Sequence, residues 1–243
     1  MKTRINLVQR IAGVGWGANA NTLRTTVMGL VIPTAEYCCS SFINSSHTSK
    51  IDVQINRALR IISGTIKSTP LHWLPVMANI EPPQFRRQVA LNHLYSKCDS
   101  HQNSLLYHLR NELPNQRLKR KPPWTFENQE FDLKIAWNQS WTSNNIVNQD
   151  LVTNPSIKLP GFEWSRNLWS RLNRFRCEQG RCNYLMDKWG LLDNPYCDCG
   201  PIDQKMLHIV NECALRAFDG GLQRLHLAKE DAEKWLKQLD ISI

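Results

Sequence analysis

Lys50-Ile51-Asp52-Val53-Gln54-Ile55-Asn56-Arg57-Ala58-Leu59-Arg60-Ile61-Ile62 decides the fold class. Ile51, Ile55, Ala58, Leu59 and Ile62 recur at intervals of three and four, which lays them along one face of an α-helix. Lys50, Arg57 and Arg60 fall off that face. Leu91, Leu94, Tyr95 and Cys98 repeat the pattern, preceded by the helix-breaking Pro82-Pro83 and by Arg86-Arg87. A longer apolar helix is expected between Asn21 and Ile43, bent or broken at Pro33 because proline removes a backbone donor. Trp164, Leu168, Leu172 and Phe175 form another stripe, with Arg166, Arg171, Arg174 and Arg176 spread around the rest of that helix. Leu225, Ala228, Ala232, Trp235, Leu236 and Leu239 mark a final helix. Strand signals are weak throughout, so the expected fold is mainly α.

The helical pattern lapses between about residues 111 and 160. Arg117-Leu118-Lys119-Arg120-Lys121-Pro122-Pro123 is basic and ends in prolines, and the residues after it are rich in Asn, Ser, Gln and Thr. Such a stretch reads as a connector, with one short helix around Phe131 to Trp141. It divides the chain into a helical module, 1–110, a basic and polar connector, 111–160, and a second helical module, 161–243. Gly13-Val14-Gly15-Trp16-Gly17 is glycine-rich but lacks the GxGxxG spacing and follows no strand. It reads as a turn between helices with no nucleotide role.

At 243 residues the chain is long enough to bury a core without a disulfide or metal to hold it together. Its 42% hydrophobic and 21% charged composition argues against disorder as the main state. No apolar run approaches the ~18 residues of a membrane span, and the first residues carry no secretory h-region. An intracellular chain with no membrane partner is expected. The charge is unevenly placed. Residues 1–122 hold 16 Lys and Arg against 5 Asp and Glu, whereas residues 123–243 hold 14 against 16. A basic half joined to a near-neutral half suggests a polyanion partner, most often nucleic acid, less often an acidic membrane surface; a merely solvated basic surface is the alternative.

Eight cysteines in a chain without an export signal point to free thiols or metal rather than to a disulfide framework. Cys38, Cys39 and Cys98 sit in apolar contexts and read as core. Cys197-Asp198-Cys199-Gly200 followed by His208 and Cys213 gives C-x-C-x8-H-x4-C. Four such ligands can close a tetrahedral zinc site, one Zn2+ per chain, with no open position for water or substrate and hence a structural role. Gly200 and Pro201 suit the chain reversal. His208 and Cys213 are five residues apart, which is not one helical face, so the chain must unwind near Cys213. Ordinary buried thiols with one satisfied histidine are the alternative, and Cys177 and Cys182 are competing ligands.

Arg171, Arg174, Arg176, Arg181 and Lys188 are interleaved with Trp169, Phe175, Tyr184 and Trp189. Cations for phosphates beside aromatic faces for bases is the pattern single-stranded nucleic-acid binding needs. The alternative is an aromatic core with a solvated arginine rim, which is favoured for Trp164 and Phe175.

Several of these segments, in order, carry a family resemblance. Leu159-Pro160-Gly161-Phe162, Trp169-Ser170-Arg171-Leu172-Asn173-Arg174-Phe175-Arg176, Gln179-Gly180-Arg181-Cys182, Lys188-Trp189-Gly190 and Cys197-Asp198-Cys199-Gly200 resemble the C-terminal end of reverse transcriptases from non-LTR, LINE-type, jockey-like retrotransposons. His208-Ile209-Val210, Cys213 and Phe218-Asp219-Gly220-Gly221-Leu222 fit the same tail. Thr3-Arg4-Ile5-Asn6-Leu7, Trp16-Gly17-Ala18, Ala35-Glu36-Tyr37-Cys38, Trp73-Leu74-Pro75-Val76 and Pro82-Pro83 with Arg86-Arg87 are similar to the region after the polymerase palm, including the thumb.

The resemblance implies a helical thumb-like module followed by a zinc-knuckle module that binds template RNA or target DNA during target-primed reverse transcription. Phosphate contacts are expected from Arg86, Arg87, Lys119, Arg120 and Lys121, and from Arg171, Arg174, Arg176, Arg181 and Lys188. The chain also departs from the family. The aspartate pair that holds the polymerase's two metal ions has no counterpart, since no Asp-Asp occurs. Ala214 replaces the usual proline after the last cysteine, and Cys177 replaces a threonine. The expectation is a fragment without polymerase chemistry of its own, whose partners are RNA or DNA and any upstream polymerase domains. Its place is a nuclear or cytoplasmic ribonucleoprotein. The rival from another class is a helical protein-interaction module or a non-functional relic.

Overall fold

The amphipathic stretch that opened the sequence forms a helix from Thr48 to Ser63 and buries Ile55, Ala58, Leu59, Ile61 and Ile62. It stops at Gly64, whose φ of 69° places it in the left-handed region where a residue without Cβ is least strained. The computed structural model describes residues 1–13, 16–100, 107–108, 131–241 and 243. The described elements are α1 (Lys2–Arg10), α2 (Ala20–Leu30), α3 (Ile32–Ala35), α4 (Cys39–Phe42), α5 (Thr48–Ser63), α6 (Trp73–Ala78) and α7 (Pro83–Ser100), then α8 (Leu133–Ser143) and α9 (Arg166–Arg176). After them come α10 (Asn183–Lys188), β1 (Tyr196–Cys197), β2 (Gly200–Asp203), α11 (Met206–Asn211), α12 (Gly221–His226) and α13 (Glu230–Gln238). The fold is mainly α, as the periodicity indicated. Among the described residues no helix is long and apolar enough to cross a membrane.

Local breaks follow proline and left-handed backbone. The apolar run from Asn21 to Ile43 is three helices, α2 to α4, and the first gap falls two residues before Pro33, which has no N–H to continue the ladder. Pro82-Pro83 precedes the Leu91–Cys98 stripe as expected, and α7 begins at Pro83, because a first-turn proline forfeits only a donor that has no intrahelical acceptor. The expected final helix is two, α12 and α13, parted near Ala228 at φ 51°.

The two halves are joined end to side. The last carbonyls of α5 have no acceptor role left within the helix, and side chains of α9 take it up. Arg166 Nη1 and Trp169 Nε1 donate to the Ile62 carbonyl at 2.7 and 3.2 Å, Asn173 Nδ2 to Ser63 at 2.9 Å, and Arg174 Nε to Gly64 at 3.3 Å. Two guanidinium groups at the negative end of a helix are also favoured by its dipole.

The connector expected over 111–160 is, from residue 131 on, a packed part of the same core. Asp132 caps α8 by accepting from the Lys134 and Ile135 amides at 2.8 and 3.0 Å. Trp137 and Trp141 are buried, and Trp141 meets Trp73 edge-on with centroids 5.1 Å apart. Both indole N–H groups are satisfied, Trp73 by the Val147 carbonyl and Trp141 by that of Val152, each at 2.9 Å. One hydrophobic cluster therefore runs from Ile5 through Trp141 and Trp169 to Ile243. The basic run Arg117–Lys121 lies outside the described residues.

Candidate metal centre and the basic surface beside it

Cys197 and Cys199 sit at the turn of a two-stranded antiparallel hairpin in which Tyr196 pairs with Asp203 and Cys197 with Gly200. Gly200 has φ 150°, a value L side chains rarely adopt, and this opens the reversal into β2. His208 is buried within α11. The amides of Glu212 and Cys213 both donate to the His208 carbonyl, at 3.0 and 2.9 Å, so the helix widens at its end and returns Cys213 toward His208. The five-residue spacing required such an unwinding, and the structure has it.

The ligand atoms of Cys197, Cys199, His208 and Cys213 all lie within 4.8 Å of one another. Cys197 Sγ and Cys213 Sγ are 3.7 Å apart, and Cys199 Sγ is 3.2 Å from His208 Nε2. Around a tetrahedral ion with metal–sulfur bonds of ~2.3 Å, two sulfurs stand about 3.8 Å apart, so the cage has the size of such a site. His208 supplies a second test of fit. Its Nδ1 is buried without a hydrogen-bond partner and faces the Glu212 carboxylate at 3.5 Å. With Nε2 turned to the sulfurs, the proton belongs on Nδ1 beside that carboxylate, the outer-shell arrangement that orients a ligand histidine. This Cys3His group is close enough to bind a metal ion.

The thiols already respond to one another. Burial raises Cys197, but the Cys199 amide and the hydrogen bonds of Cys199, His208 and Cys213 outweigh it and hold the thiol near 6. Desolvation and the neighbouring thiols push Cys199 up to about 11. One thiolate forms readily and the next is resisted, and a bound cation removes that resistance.

Two residues that the sequence did not single out frame the cluster. Gln204, nearly fully buried, turns Nε2 toward Cys197 Sγ at 3.8 Å and accepts the Asn183 amide on Oε1 at 3.0 Å, tying the hairpin to α10. Arg216 pairs with Asp198 at 2.7 Å and Asp240 at 2.6 Å and lies 4.0 Å from Cys197 Sγ. Neither residue had a signal in periodicity or ligand spacing. The competing cysteines lie elsewhere. Cys177 is buried against Thr69 Oγ1 at 3.9 Å, where burial raises its thiol to about 11. Cys182 is the N-cap position of α10.

The expected phosphate contacts divide sharply. Arg86 is paired with Glu36, and Arg87 holds Asp52 with two bonds of 2.6 and 3.0 Å while only 5% exposed. Arg176 is fully buried, donating to the Pro160 and His226 carbonyls, Asn173 Oδ1 and His226 Nδ1. Arg171 donates to Leu236 and Ile241, and Arg174 to Gly64 and Ile243. These five guanidinium groups serve the fold first, and Arg86, Arg87 and Arg176 are turned away from solvent. Trp169 and Phe175 are fully buried, so they offer no face to a base. Arg181 and Lys188 are exposed, and Lys188 lies 4.4 Å above the Tyr184 ring. Lys119, Arg120 and Lys121 lie outside the described residues.

Comparison with protein families, curated proteins and solved structures finds no match for the chain.

Proposed function

We propose that the chain is a single-stranded nucleic-acid-binding unit akin to the C-terminal part of a non-LTR retrotransposon reverse transcriptase, without polymerase chemistry of its own. The observation that carries the reading is the Cys3His cage set beside exposed Arg181, Lys188 and Trp189. Three thiolates and one imidazole in a closed tetrahedron select zinc, and with all four positions taken by protein the ion is structural. The zinc holds the hairpin in place. Residues 187–213 contain Asp187, Asp193, Asp198, Asp203 and Glu212 against Lys188 and Lys205, so the knuckle itself carries an acidic excess. It acts as a scaffold, and phosphates are met by cations next to it. RNA or DNA, and any upstream polymerase domains, are the partners this reading assigns, in a nuclear or cytoplasmic ribonucleoprotein.

Fluorescence anisotropy of the zinc-loaded chain with a labelled single-stranded oligonucleotide tests this across a salt series. The expected affinity falls steeply, with a slope of about −0.7 for each phosphate neutralised. Salt-insensitive or absent binding contradicts the proposal. Exposed Leu191, Leu192, Tyr196 and Ile202 on the hairpin and its approach favour the rival, a protein-docking knuckle. Salt-insensitive association with a protein would support it.

A further inference from the structure

Two depressions meet at Arg181. One, about 540 Å³, is walled by Ile66, Lys67, Ser68, Arg181, Trp189 and Leu191. The other, about 310 Å³, includes Ser170, Arg171, Arg174 and Arg181 and shares Ile66 with the first. No aspartate or glutamate lines either one. The second is a polar recess with three guanidinium groups and no aspartate or glutamate, and the main-chain end of Ile243, whose oxygen Arg174 Nη1 holds, also lines it.

Carbonyl oxygens fix Arg171, and Arg174 is fixed by Gly64 and by the terminal Ile243 oxygen, so Arg181 is the cation of the three that no contact among the described residues engages. Arg171 Nη1 donates to Leu236 at 2.6 Å, and Arg174 donates through Nε and Nη2 to Gly64 at 3.3 and 3.2 Å. Burial and then the charge of Arg181 depress Arg174, which shows the groups repelling one another. Arg181 itself makes no hydrogen bond or ion pair among the described residues, and its side chain is exposed. An anion entering here meets preset cations and relieves their repulsion. The adjoining depression differs in chemistry. Trp189, 40% exposed, stands with Ile66 and Leu191 around an apolar floor, and Lys67 is at the rim.

We infer that this double depression seats a single-stranded nucleic acid, with a backbone phosphate against Arg171, Arg174 and Arg181 and an unpaired base on Trp189. The inference rests on the function proposed above and gives it a place. An aromatic floor next to a phosphate recess matches the alternation of base and phosphate along one strand. A duplex hides its base faces, and acidic side chains have no π-face to lay on an indole, so neither fits both halves of the depression.

The test uses the zinc-loaded full chain with fluorescein-labelled oligo(U) and oligo(dT). Trp189→Ala should weaken binding about ten-fold, whereas Trp189→Phe should retain most of it, because stacking tolerates any aromatic face. Arg181→Gln should reduce the salt slope by about 0.7, the loss of one phosphate contact. Lys158→Gln, an exposed cation outside the depression, should change neither quantity. Circular dichroism checks that each variant is folded. If the wild type binds and Trp189→Ala and Arg181→Gln bind as it does, the depression is not the seat, although the chain still binds nucleic acid. If labelled polyglutamate binds as tightly and resists Trp189→Ala, the recess is an acidic-peptide site and the inference fails. If the wild type binds no oligonucleotide, the functional reading itself falls.

Discussion

Arg176 Nε donates to His226 Nδ1 across 3.1 Å in the interior of the C-terminal helices. The guanidinium is wholly enclosed and its remaining partners are carbonyl and amide oxygens, with no carboxylate among them. Only a neutral imidazole with its proton on Nε2 can accept that bond. The Arg176–His226 pair thus links α9 to α12 and contributes to the pH response of the fold.

Burial, with the Arg176 charge added, pushes His226 down to about 3 from its ordinary 6.5. Between these values the unfolded chain binds a proton that the folded chain refuses. This group leaves stability unchanged above about pH 6.5 and reduces it on acidification toward 3, by about 1.4 kcal/mol per pH unit. Urea unfolding at several pH values should show this slope in the wild type. In His226→Asn, which can still accept from Arg176, the slope should be shallower by about one proton. Equal slopes would remove His226 as its source.

Gly64, which ends α5, packs directly on Ser170 of α9. A Cβ there would lie 1.8 Å from Ser170 Oγ and 3.0 Å from Ser170 Cα, and the residue has φ 69°. Rotating the serine clears the first contact but not the second. Gly64→Ala should lose at least the ~1–3 kcal/mol of a strained left-handed residue. The urea midpoint should fall with an unchanged m-value. A midpoint within error of the wild type would mean that the junction yields freely.

Arg87 was expected on a phosphate, and the structure gives it to Asp52 instead. Arg87→Gln should destabilise the chain by roughly 1–3 kcal/mol, below the cost of breaking a fully buried pair because the Asp52 side chain is 26% exposed. It should leave the salt slope of oligonucleotide binding untouched. A slope reduced by a full phosphate contact would return Arg87 to the binding surface.

What was legible in the sequence was periodic or local. Ile55, Ala58, Leu59 and Ile62 announced α5, and C-x-C-x8-H-x4-C announced the cage together with the unwinding at Cys213. Arginine roles were not legible, because their partners are remote. Arg166 and Arg174 cap carbonyls more than a hundred positions away, and Arg176 meets a histidine fifty positions on. Spacing around a helix cannot tell a solvated arginine from one enclosed by another helix's end. The polar composition of 131–160 likewise hid Trp137 and Trp141, two large side chains that anchor the segment more strongly than its Asn and Ser residues loosen it.

From Lys188 to Gly221 a knuckle without a core of its own would be expected to draw much of its folding from the metal. Met206, Ile209, Val210 and Phe218 are instead buried in the common core, while the hairpin leaves Tyr196 and Ile202 exposed. Removing the metal should therefore release the hairpin and spare α11. After chelation, hydrogen exchange should accelerate over residues 190–203, with the amides of Ile209 and Val210 still protected. Loss of protection throughout 188–221 would make the metal the core of the whole segment.

Zinc content of the purified wild type and of single cysteine variants, by elemental analysis, tests the central claim most directly. One zinc per chain is predicted for the wild type and for Cys177→Ser and Cys182→Ser, and loss of zinc for Cys199→Ser and Cys213→Ser. Retention in Cys213→Ser with loss in Cys182→Ser would contradict the ligand set, and a wild type without zinc would contradict the knuckle itself.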